Sequence, residues 1–254
     1  MTAAVSPDAV AAALARLRER RPRVHCITNS AAVNFTANVL LAAGAVPSMT
    51  VNPEEVPDFV ASADALLVNL GTLDRLREAA IDAATEVAAD TGKPWVLDPV
   101  FVERSPIRLD LARRLAEADP AVIRLNRPEL AAMTGMEGDD PVAEAYALST
   151  LSTVARTGDV DFVTDGARSV RVSGGHPLMA LVTATGCATG ALTAGFLAVE
   201  PDAVVAAAAC LAFVAAAAER AGAAAAGPGS FSPLFIDALN RLTPAEIGAS
   251  ARIR

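Results

Sequence analysis

The sequence predicts an α/β protein with a mainly parallel central sheet and helices on both faces. Short runs of β-branched residues alternate along the 254-residue chain with longer segments rich in alanine, leucine and arginine. Parallel strands need long crossover connections, usually helices, and these helices cover both faces of the sheet. At 53% hydrophobic residues the chain can bury a large core, and its length favours one domain, residues 1–254, over two small ones.

The predicted strands are residues 23–28, 47–49, 65–69, 95–98, 121–124 and 161–164, and a hairpin strand at 168–173 follows a turn at Asp165-Gly166. The predicted helices include residues 34–43, 74–89 and 109–118, followed by three more at about 185–199, 203–221 and 233–242. The run at 203–218 is mostly alanine and is shorter than the roughly 20 apolar residues that span a bilayer. We interpret it as a core helix.

Composition argues against several classes of partner. A net charge of −8 with scattered basic residues repels phosphate backbones, so we expect no nucleic-acid partner. The three cysteines, Cys26, Cys187 and Cys210, are far apart, and with two histidines they indicate neither a disulfide framework nor a zinc site. The N-terminal segment, with charges such as Asp8 and Arg16 among alanines, predicts an amphipathic helix rather than a signal peptide. We therefore expect a cytoplasmic protein without a membrane partner.

Polar residues follow several predicted strands at the point where each strand ends. They are Thr28 and Asn29, Asn69 and Gly71, Asp98, and Asn126 with Glu129. Any one of them has an ordinary explanation as a turn residue or helix cap. The carboxyl ends of parallel strands meet at one edge of a sheet, where open α/β proteins bind ligands. Their joint placement therefore predicts a binding site at that edge.

A loop of small residues, 183–190, leads into an apolar helix. The backbone N–H groups of Ala184, Thr185, Gly186 and Cys187, together with the helix dipole, predict an anion hole suited to a phosphoryl group. A plain helix cap is the alternative. Cys187 lies in the first turn, where the pKa of a thiol tends to fall, although a buried structural cysteine is the commoner reading.

Two carboxylates, Asp98 and Glu129, follow neighbouring strands and suit Mg²⁺, which prefers oxygen ligands. Alternatively, Asp98 forms a turn before proline and Glu129 complements a helix dipole. Arg124 lies just before this loop, where its guanidinium is within reach of a phosphate.

Four stretches carry a resemblance to a known family. They are VHCITN at 24–29 with NFTAN at 34–38 and GAVPSM at 44–49, LDPV at 97–100 with IRLN at 123–126, the loop from Gly175 to Cys187, and GPGSF at 227–231. In order and spacing, the chain resembles the hydroxyethylthiazole kinases, a branch of the ribokinase-like fold, over almost its full length. The fold that this implies is a ribokinase-like three-layer sandwich.

The resemblance also implies an activity and an assembly. The activity is ATP-dependent phosphorylation of the hydroxyl of 4-methyl-5-(2-hydroxyethyl)thiazole, in thiamine salvage or biosynthesis, with Mg²⁺ as cofactor. The assembly is a homotrimer with active sites between subunits.

Residue roles follow from the same resemblance. It places Met49, Asn29 and the backbone of Ala184 at the thiazole, and Arg124 and Thr157 at ATP. Cys187 occupies the position at which sugar kinases of this fold carry an aspartate base, and Asp98 and Glu129 organise the metal. Whether Cys187 acts as a base or only positions the hydroxyl stays open.

The sequence departs from the family pattern at several positions. Phe101 begins a bulky, charged stretch, 101–105, where the family has a glycine-rich one, and Leu125, Arg127 and Pro128 replace smaller residues. Ala184 stands where glycine is usual, and we expect its φ to be negative so that its amide can donate. Two alternatives remain: another ribokinase-like kinase, acting on hydroxymethylpyrimidine or a sugar, and a non-catalytic thiazole-binding homologue.

Overall fold

One twisted sheet of nine strands organises the protein, and the computed structural model describes residues 5–254. Residues 1–4 of the predicted domain lie outside the described residues. The strands are β1 (Arg23–Ile27), β2 (Val46–Ser48), β3 (Ala65–Asn69), β4 (Trp95–Asp98), β5 (Val122–Asn126), β6 (Thr153–Thr157), β7 (Val160–Thr164), β8 (Ser169–Ser173) and β9 (Arg252–Ile253). Their order in the sheet is β2-β1-β3-β4-β5-β6-β7-β8-β9. The pairs from β2 to β6 are parallel, and those from β6 to β9 are antiparallel.

The helices are α1 (Pro7–Arg20), α2 (Val33–Ala43), α3 (Val56–Ser62), α4 (Arg75–Thr91), α5 (Pro106–Ala116), α6 (Arg127–Thr134), α7 (Asp140–Thr150), α8 (Thr185–Leu197), α9 (Ala203–Ala224), α10 (Pro228–Arg241) and α11 (Pro244–Ser250). Short 3₁₀ helices lie at Val102–Arg104 and Pro177–Leu181. Helices α1, α2, α8 and α9 lie on one face of the sheet, and α3 to α7 lie on the other.

The central strand β3 shows why the sheet needs both layers. All five of its residues are buried, and Leu67 packs into one hydrophobic cluster while Leu66 and Val68 pack into the other. Side chains of a strand alternate between the two faces, so a strand that is apolar at every position must be covered on both sides. This two-sided burial confirms the predicted three-layer arrangement.

The seven predicted strands are confirmed as β1 to β5, β7 and β8, with ends shifted by one or two residues at most. The amphipathic N-terminal helix is confirmed as α1. By length and composition α9 could cross a membrane. It is instead packed against α8, α10 and the sheet, with most of its residues buried, as expected of a core helix.

One strand and one orientation were not predicted. β6 was missed, and the separation of strands by helices implied that the strand at 161–164 is parallel, which is wrong. β6 and β7 are joined by only Gly158 and Asp159, and a two-residue connection permits only antiparallel pairing. That glycine–aspartate pair between two β-branched runs was the available hairpin signal.

The helix predicted at 233–242 begins earlier than expected. α10 starts at Pro228, and Pro233 lies inside it. Pro228 occupies the first turn, where a missing N–H costs nothing, so it sets the start of the helix. The GPGSF stretch therefore forms the beginning of α10 rather than a free loop.

Candidate active site

The polar residues predicted at the strand ends do converge. Asn29 follows β1, Asn69 and Asp98 end the paired strands β3 and β4, and Asn126 ends β5. All these strands are parallel, so their carboxyl ends lie along the same edge. Asn29, Asp98 and Asn126 line one cleft of about 490 Å³ there.

A hydrogen-bonded chain connects Cys187 to Asp98 across this edge. The side-chain amide of Asn29 donates to Sγ of Cys187 at 2.9 Å and lies 3.5 Å from Oδ1 of Asn69. The amide nitrogen of Asn69 in turn donates to Oδ2 of Asp98 at 2.8 Å. Asn69 was predicted at this edge as one of the polar residues that end the strands, but without a role of its own. It links the two halves of the cleft.

Two glycines provide the space in which the hydrogen-bonded side chains lie. A Cβ added at residue 71 would lie 2.5 Å from Cβ of Asn29, closer than atoms can approach. A Cβ added at residue 190 of α8 would lie 3.0 Å from Oδ2 of Asp98. Gly71 therefore permits the position of Asn29, and Gly190 allows α8 to pack closely over β4.

Asp98 is a buried carboxylate with one cationic neighbour. It is 2% exposed, and Nη1 of Arg124 lies 3.7 Å from its Oδ1. Burial raises the pKa of Asp98, against the opposing effects of Arg124 and of the hydrogen bond from Asn69. Among residues 5–254, the buried Nε of Arg124 has no hydrogen-bond partner. An unpaired donor beside a buried carboxylate is costly, which is typical of a site built for a further ligand.

Glu129 serves as a structural cap and also faces the cleft. Its Oε2 accepts the backbone N–H of Asn126 at 2.9 Å, and the Asn126 side chain accepts the N–H of Glu129, forming a capping box at α6. Its Oε1 accepts the N–H of Phe101 at 3.1 Å. Burial, and then the charge of Asp98, raise the pKa of Glu129 to about 7. The predicted dipole-capping role is confirmed, and the carboxylate also lines the cleft.

The start of α8 faces the same cleft. Thr183, Ala184, Gly186 and Cys187 line it, as do Asp98 and Glu129. Thr185 is different: it is buried, and its hydroxyl donates to the carbonyl of Val182 at 2.8 Å. Three of the four residues predicted for the anion hole therefore border the cleft.

The expectation of a negative φ at Ala184 is wrong. This residue caps α8 at φ 72°, in the left-handed region. A Cβ in this conformation crowds the following carbonyl, at a cost of roughly 1–2 kcal/mol for a residue other than glycine. Ala184 takes this conformation at the turn by which the chain enters α8.

The expectation of a lowered thiol pKa at Cys187 is also wrong. Burial, and then the charge of Asp98, raise the pKa of Cys187 to about 11, although the hydrogen bond from Asn29 and the charge of Arg124 act in the opposite direction. The desolvation of the thiolate outweighs the favourable end of the helix. Cys187 is therefore a neutral thiol at physiological pH.

A second cavity of about 680 Å³ adjoins the cleft. Arg124, Asn126 and Thr157 line both. The hydroxyl of Thr157 lies 3.4 Å from the carbonyl of Leu125, which joins the ends of β5 and β6. The rest of its lining comes from the β6–β7 turn with Asp159, from Asp161 of β7, from the segment after β8, and from residues of α8 and α9 such as Thr189 and Leu211.

Met49 lies apart from the other predicted residues. It follows the edge strand β2, is partly buried against the core, and is absent from the lining of both cavities. Sequence reasoning did not place Arg108 at the cleft; it lines the cleft, and its Nη1 donates to the carbonyl of Val100 at 3.1 Å. Phe101, the first residue of the divergent stretch, lies at the cleft with φ 58° and its side chain 53% exposed.

Comparison with known proteins identifies the family. The model of the hydroxyethylthiazole kinase family matches residues 14–245. The chain belongs to this family. A probable hydroxyethylthiazole kinase of Agrobacterium fabrum is 46% identical over 249 residues, covering 97% of this chain and 96% of that protein.

Solved structures agree with this membership of the hydroxyethylthiazole kinase family. The hydroxyethylthiazole kinase protein of Pyrococcus horikoshii is 39% identical, with a TM-score of 0.92 over 96% of this chain and 98% of that one. A pyridoxal kinase of Staphylococcus aureus, solved with AMP-PCP and pyridoxal, has a TM-score of 0.66 at 16% identity, covering 92% of this chain and 98% of that one. This more distant likeness shows the fold alone, and that fold is ribokinase-like.

We expect Ala184→Gly to raise the free energy of unfolding by about 1 kcal/mol, because glycine adopts positive φ without strain. Urea denaturation measures the change. The matched control is Ala188→Gly, one turn further along α8, where glycine lowers helix stability by about 1 kcal/mol or more. A variant at 184 that is less stable than the wild type would contradict the strain described here.

We expect Glu129 to lower the stability of the metal-free protein as pH rises from about 4.5 to about 7, measured relative to Glu129→Gln, because the wild-type slope also contains the opposite contribution of His25, whose pKa burial lowers to about 4. The folded pKa of Glu129 lies above its unfolded value, so the native state binds the extra proton in this window, and ionisation costs up to about 3 kcal/mol. Urea denaturation in EDTA across this range measures the slope. Glu129→Gln removes the titrating group, so the stability of the wild type should fall relative to that of this variant as pH rises; parallel curves would contradict the assignment.

Proposed function

We propose that this protein transfers the terminal phosphoryl group of ATP to the hydroxyl of 4-methyl-5-(2-hydroxyethyl)thiazole, in thiamine salvage or biosynthesis. The observation that carries the proposal is the shared cleft, in which the first residues of α8 face Asp98, Glu129 and Arg124. Phosphoryl transfer depends on positioning and on stabilising negative charge, and this cleft supplies donors for both. Family membership supports the choice of acceptor.

In this proposal, the two cavities divide the reactants. The cleft takes the thiazole alcohol, held by Asn29 and the backbone of Ala184, with Met49 supplied from elsewhere in the assembly. The larger cavity takes the nucleoside of ATP, because its lining combines apolar residues with the polar ends of β5 and β6. Arg124 and Thr157 line both cavities, so they contact the phosphates between them.

The donor set fits Mg²⁺. Asp98 and Glu129 are two buried carboxylates that repel each other, with Arg124 as a cationic neighbour. Within residues 5–254 no group of three or more histidine, cysteine or acidic side chains is placed to hold a metal by itself. Mg²⁺ usually takes one or two carboxylates together with waters and substrate phosphates. When bound, the ion would neutralise charge on the phosphates, and Asp98 and Glu129 would hold it.

Cys187 positions the acceptor hydroxyl in this scheme. Its high pKa makes the thiolate scarce, so it is a poor base. A loose transition state needs little activation of the attacking oxygen: the new oxygen–phosphorus bond forms as the bond to the ADP oxygen breaks. The N–H groups at residues 184–187 stabilise the charge on the moving phosphoryl group.

We also infer a homotrimer with active sites between subunits. Met49 lies outside the cleft of its own chain, and nearby apolar side chains are exposed: Leu41 by 54%, Phe59 by 41% and Val46 by 39%. A neighbouring subunit on this edge would cover them and would bring Met49 to another chain's cleft. We infer a cytoplasmic location and no nucleic-acid or membrane partner, in keeping with three free thiols and the net charge of −8.

The test of function is ADP release from ATP and Mg²⁺ with three acceptors offered in turn: the thiazole alcohol, hydroxymethylpyrimidine and ribose. We expect release with the thiazole alcohol. Cys187→Ser should lower kcat by roughly tenfold with an unchanged melting temperature, because the shorter hydroxyl loosens the position of the acceptor. Cys187→Asp should keep activity at or above the wild-type level, because a carboxylate is the stronger base. Wild-type turnover by Cys187→Ser would remove Cys187 from the mechanism. If none of the three acceptors causes ADP release, the result would support a binding protein.

The shared-site assembly is tested by mixing subunits. We expect Met49→Ala to raise KM for the thiazole alcohol at least tenfold, because a buried apolar contact is lost. Co-expression of Met49→Ala with Cys187→Ala should restore activity above that of either variant, because some mixed trimers contain a site with both native residues. Co-expression of Cys187→Ala with the double variant Met49→Ala/Cys187→Ala is the control, since no mixed trimer then contains a native Cys187. Absence of recovery in a confirmed trimer would place Met49 and Cys187 of one site in the same chain.

A further inference from the structure

The wall of the larger cavity is a separate segment, residues 174–181. Gly174, Gly175, His176, Pro177, Met179 and Ala180 of this segment line the cavity. It connects β8 to the start of α8 and therefore has no strand pairing of its own beyond Ser173. Its position depends on the contacts it makes with α9 and α10.

The segment begins with two glycines, whose backbone is conformationally free. Gly174 and Gly175 adopt φ of 131° and 96°, values that other residues rarely take. The N–H of Gly175 donates to Oε1 of Glu219 on α9 at 3.2 Å. This single hydrogen bond, to a partly exposed side chain, is a weak restraint on the wall that follows.

The ring of His176 holds the segment to α10, alongside the packing of Leu178 and Met179 against the core. Its Nδ1 accepts the N–H of Leu178 at 3.3 Å, which caps the 3₁₀ helix of the wall. Its ring stacks on Phe231, with centroids 6.1 Å apart and planes 23° apart. Phe231 is fully buried and stacks in turn on Phe235 at 5.8 Å, so His176 rests on a fixed aromatic surface of α10.

The ring also lies against the bare backbone of α9. A Cβ added at Gly222 of α9 would lie 2.3 Å from the His176 ring. The surrounding stretch of α9 is rich in alanine, which stabilises a helix by about 1 kcal/mol relative to glycine. Gly222 therefore lowers the local stability of α9, and the contact with the ring explains why a glycine stands there. His176 is wedged between Gly222 and Phe231.

We propose that His176 is a positioning residue for the nucleotide: its wedged ring sets the distance of segment 174–181 from α9 and hence the width of the larger cavity. The inference rests on the proposed function, in which ATP occupies that cavity. It also gives a role to the GPGSF stretch, which starts α10 and places Phe231 beneath the ring. Neither Gly222 nor Phe231 lines either cavity, so neither contacts a ligand there directly.

The test uses a clash and its relief. Gly222→Ala inserts a methyl group against the ring and should raise KM for ATP about tenfold, with KM for the thiazole alcohol changed less than twofold. His176→Asn keeps a good capping side chain but removes the ring, and should raise KM for ATP several-fold without a clash. In the double variant, the methyl group has room, so adding Gly222→Ala to His176→Asn should change KM for ATP less than twofold.

The matched control is Gly229→Ala, because a Cβ there meets nothing within 4 Å. It should leave both KM values and the melting temperature unchanged. Equal increases in both KM values, wild-type KM for ATP in His176→Asn, or additive effects in the double variant would overturn the proposal and leave His176 with a packing role only.

Calorimetric titration with ATP separates this inference from the proposed function. If the wild type binds ATP but phosphorylates no acceptor, the proposed function fails. The role of His176 is then decided by whether the ATP affinities of the four variants follow the order expected for their KM values. If the wild type binds no ATP, both proposals are overturned. If Gly222→Ala does not fold, His176→Asn alone must weaken ATP binding for the inference to stand.

Discussion

The hydrogen bond from Asn69 to Asp98 is the contact on which the site depends. It joins the carboxyl ends of two adjacent central strands, and it gives a buried carboxylate a neutral donor that does not cancel its charge. Asp98 therefore keeps a strong influence on its surroundings in a region of low dielectric. Arg124, at 3.7 Å, balances this charge only in part.

Burial and the charge of Asp98 together account for the two other perturbed groups at the cleft. That charge contributes to the raised pKa of Glu129 at the start of α6 and to that of Cys187 at the start of α8. Both groups lie at helix N-termini, where the dipole favours the ionised form. Burial and the neighbouring carboxylate outweigh the dipole at both. The result is a cleft in which Glu129 is only partly ionised near pH 7 and Cys187 is neutral, which limits the negative charge that anionic phosphates meet.

Much of the fold and the location of the site could be predicted from the sequence, because both depend on periodicity and on sheet geometry. β3 is apolar at every position, and α9 is a long alanine-rich run, so their structures follow from local pattern. β6 was harder, since it ends in Arg156 and Thr157 and its hairpin signal is confined to two residues.

The electrostatics and the contacts between distant segments were not predictable in the same way. The pKa of Cys187 depends on a charge contributed by β4, and the left-handed Ala184 depends on how the chain enters α8. The wedge of His176 joins three segments that are far apart in sequence. No local pattern encodes such a contact, because it forms only when the layers pack.

The two cavities have most of their walls in different parts of the chain and meet only along β5 and β6. The cleft is built from the parallel half of the sheet and the tip of α8, whereas the larger cavity is built from α9, the β6–β7 turn and the segment after β8. Substitutions along α9 or in the β6–β7 turn would therefore alter the larger cavity without moving the polar groups of the cleft. Donor and acceptor preferences can diverge independently in such a protein, and Arg124, Asn126 and Thr157 are the positions at which a change would affect both at once.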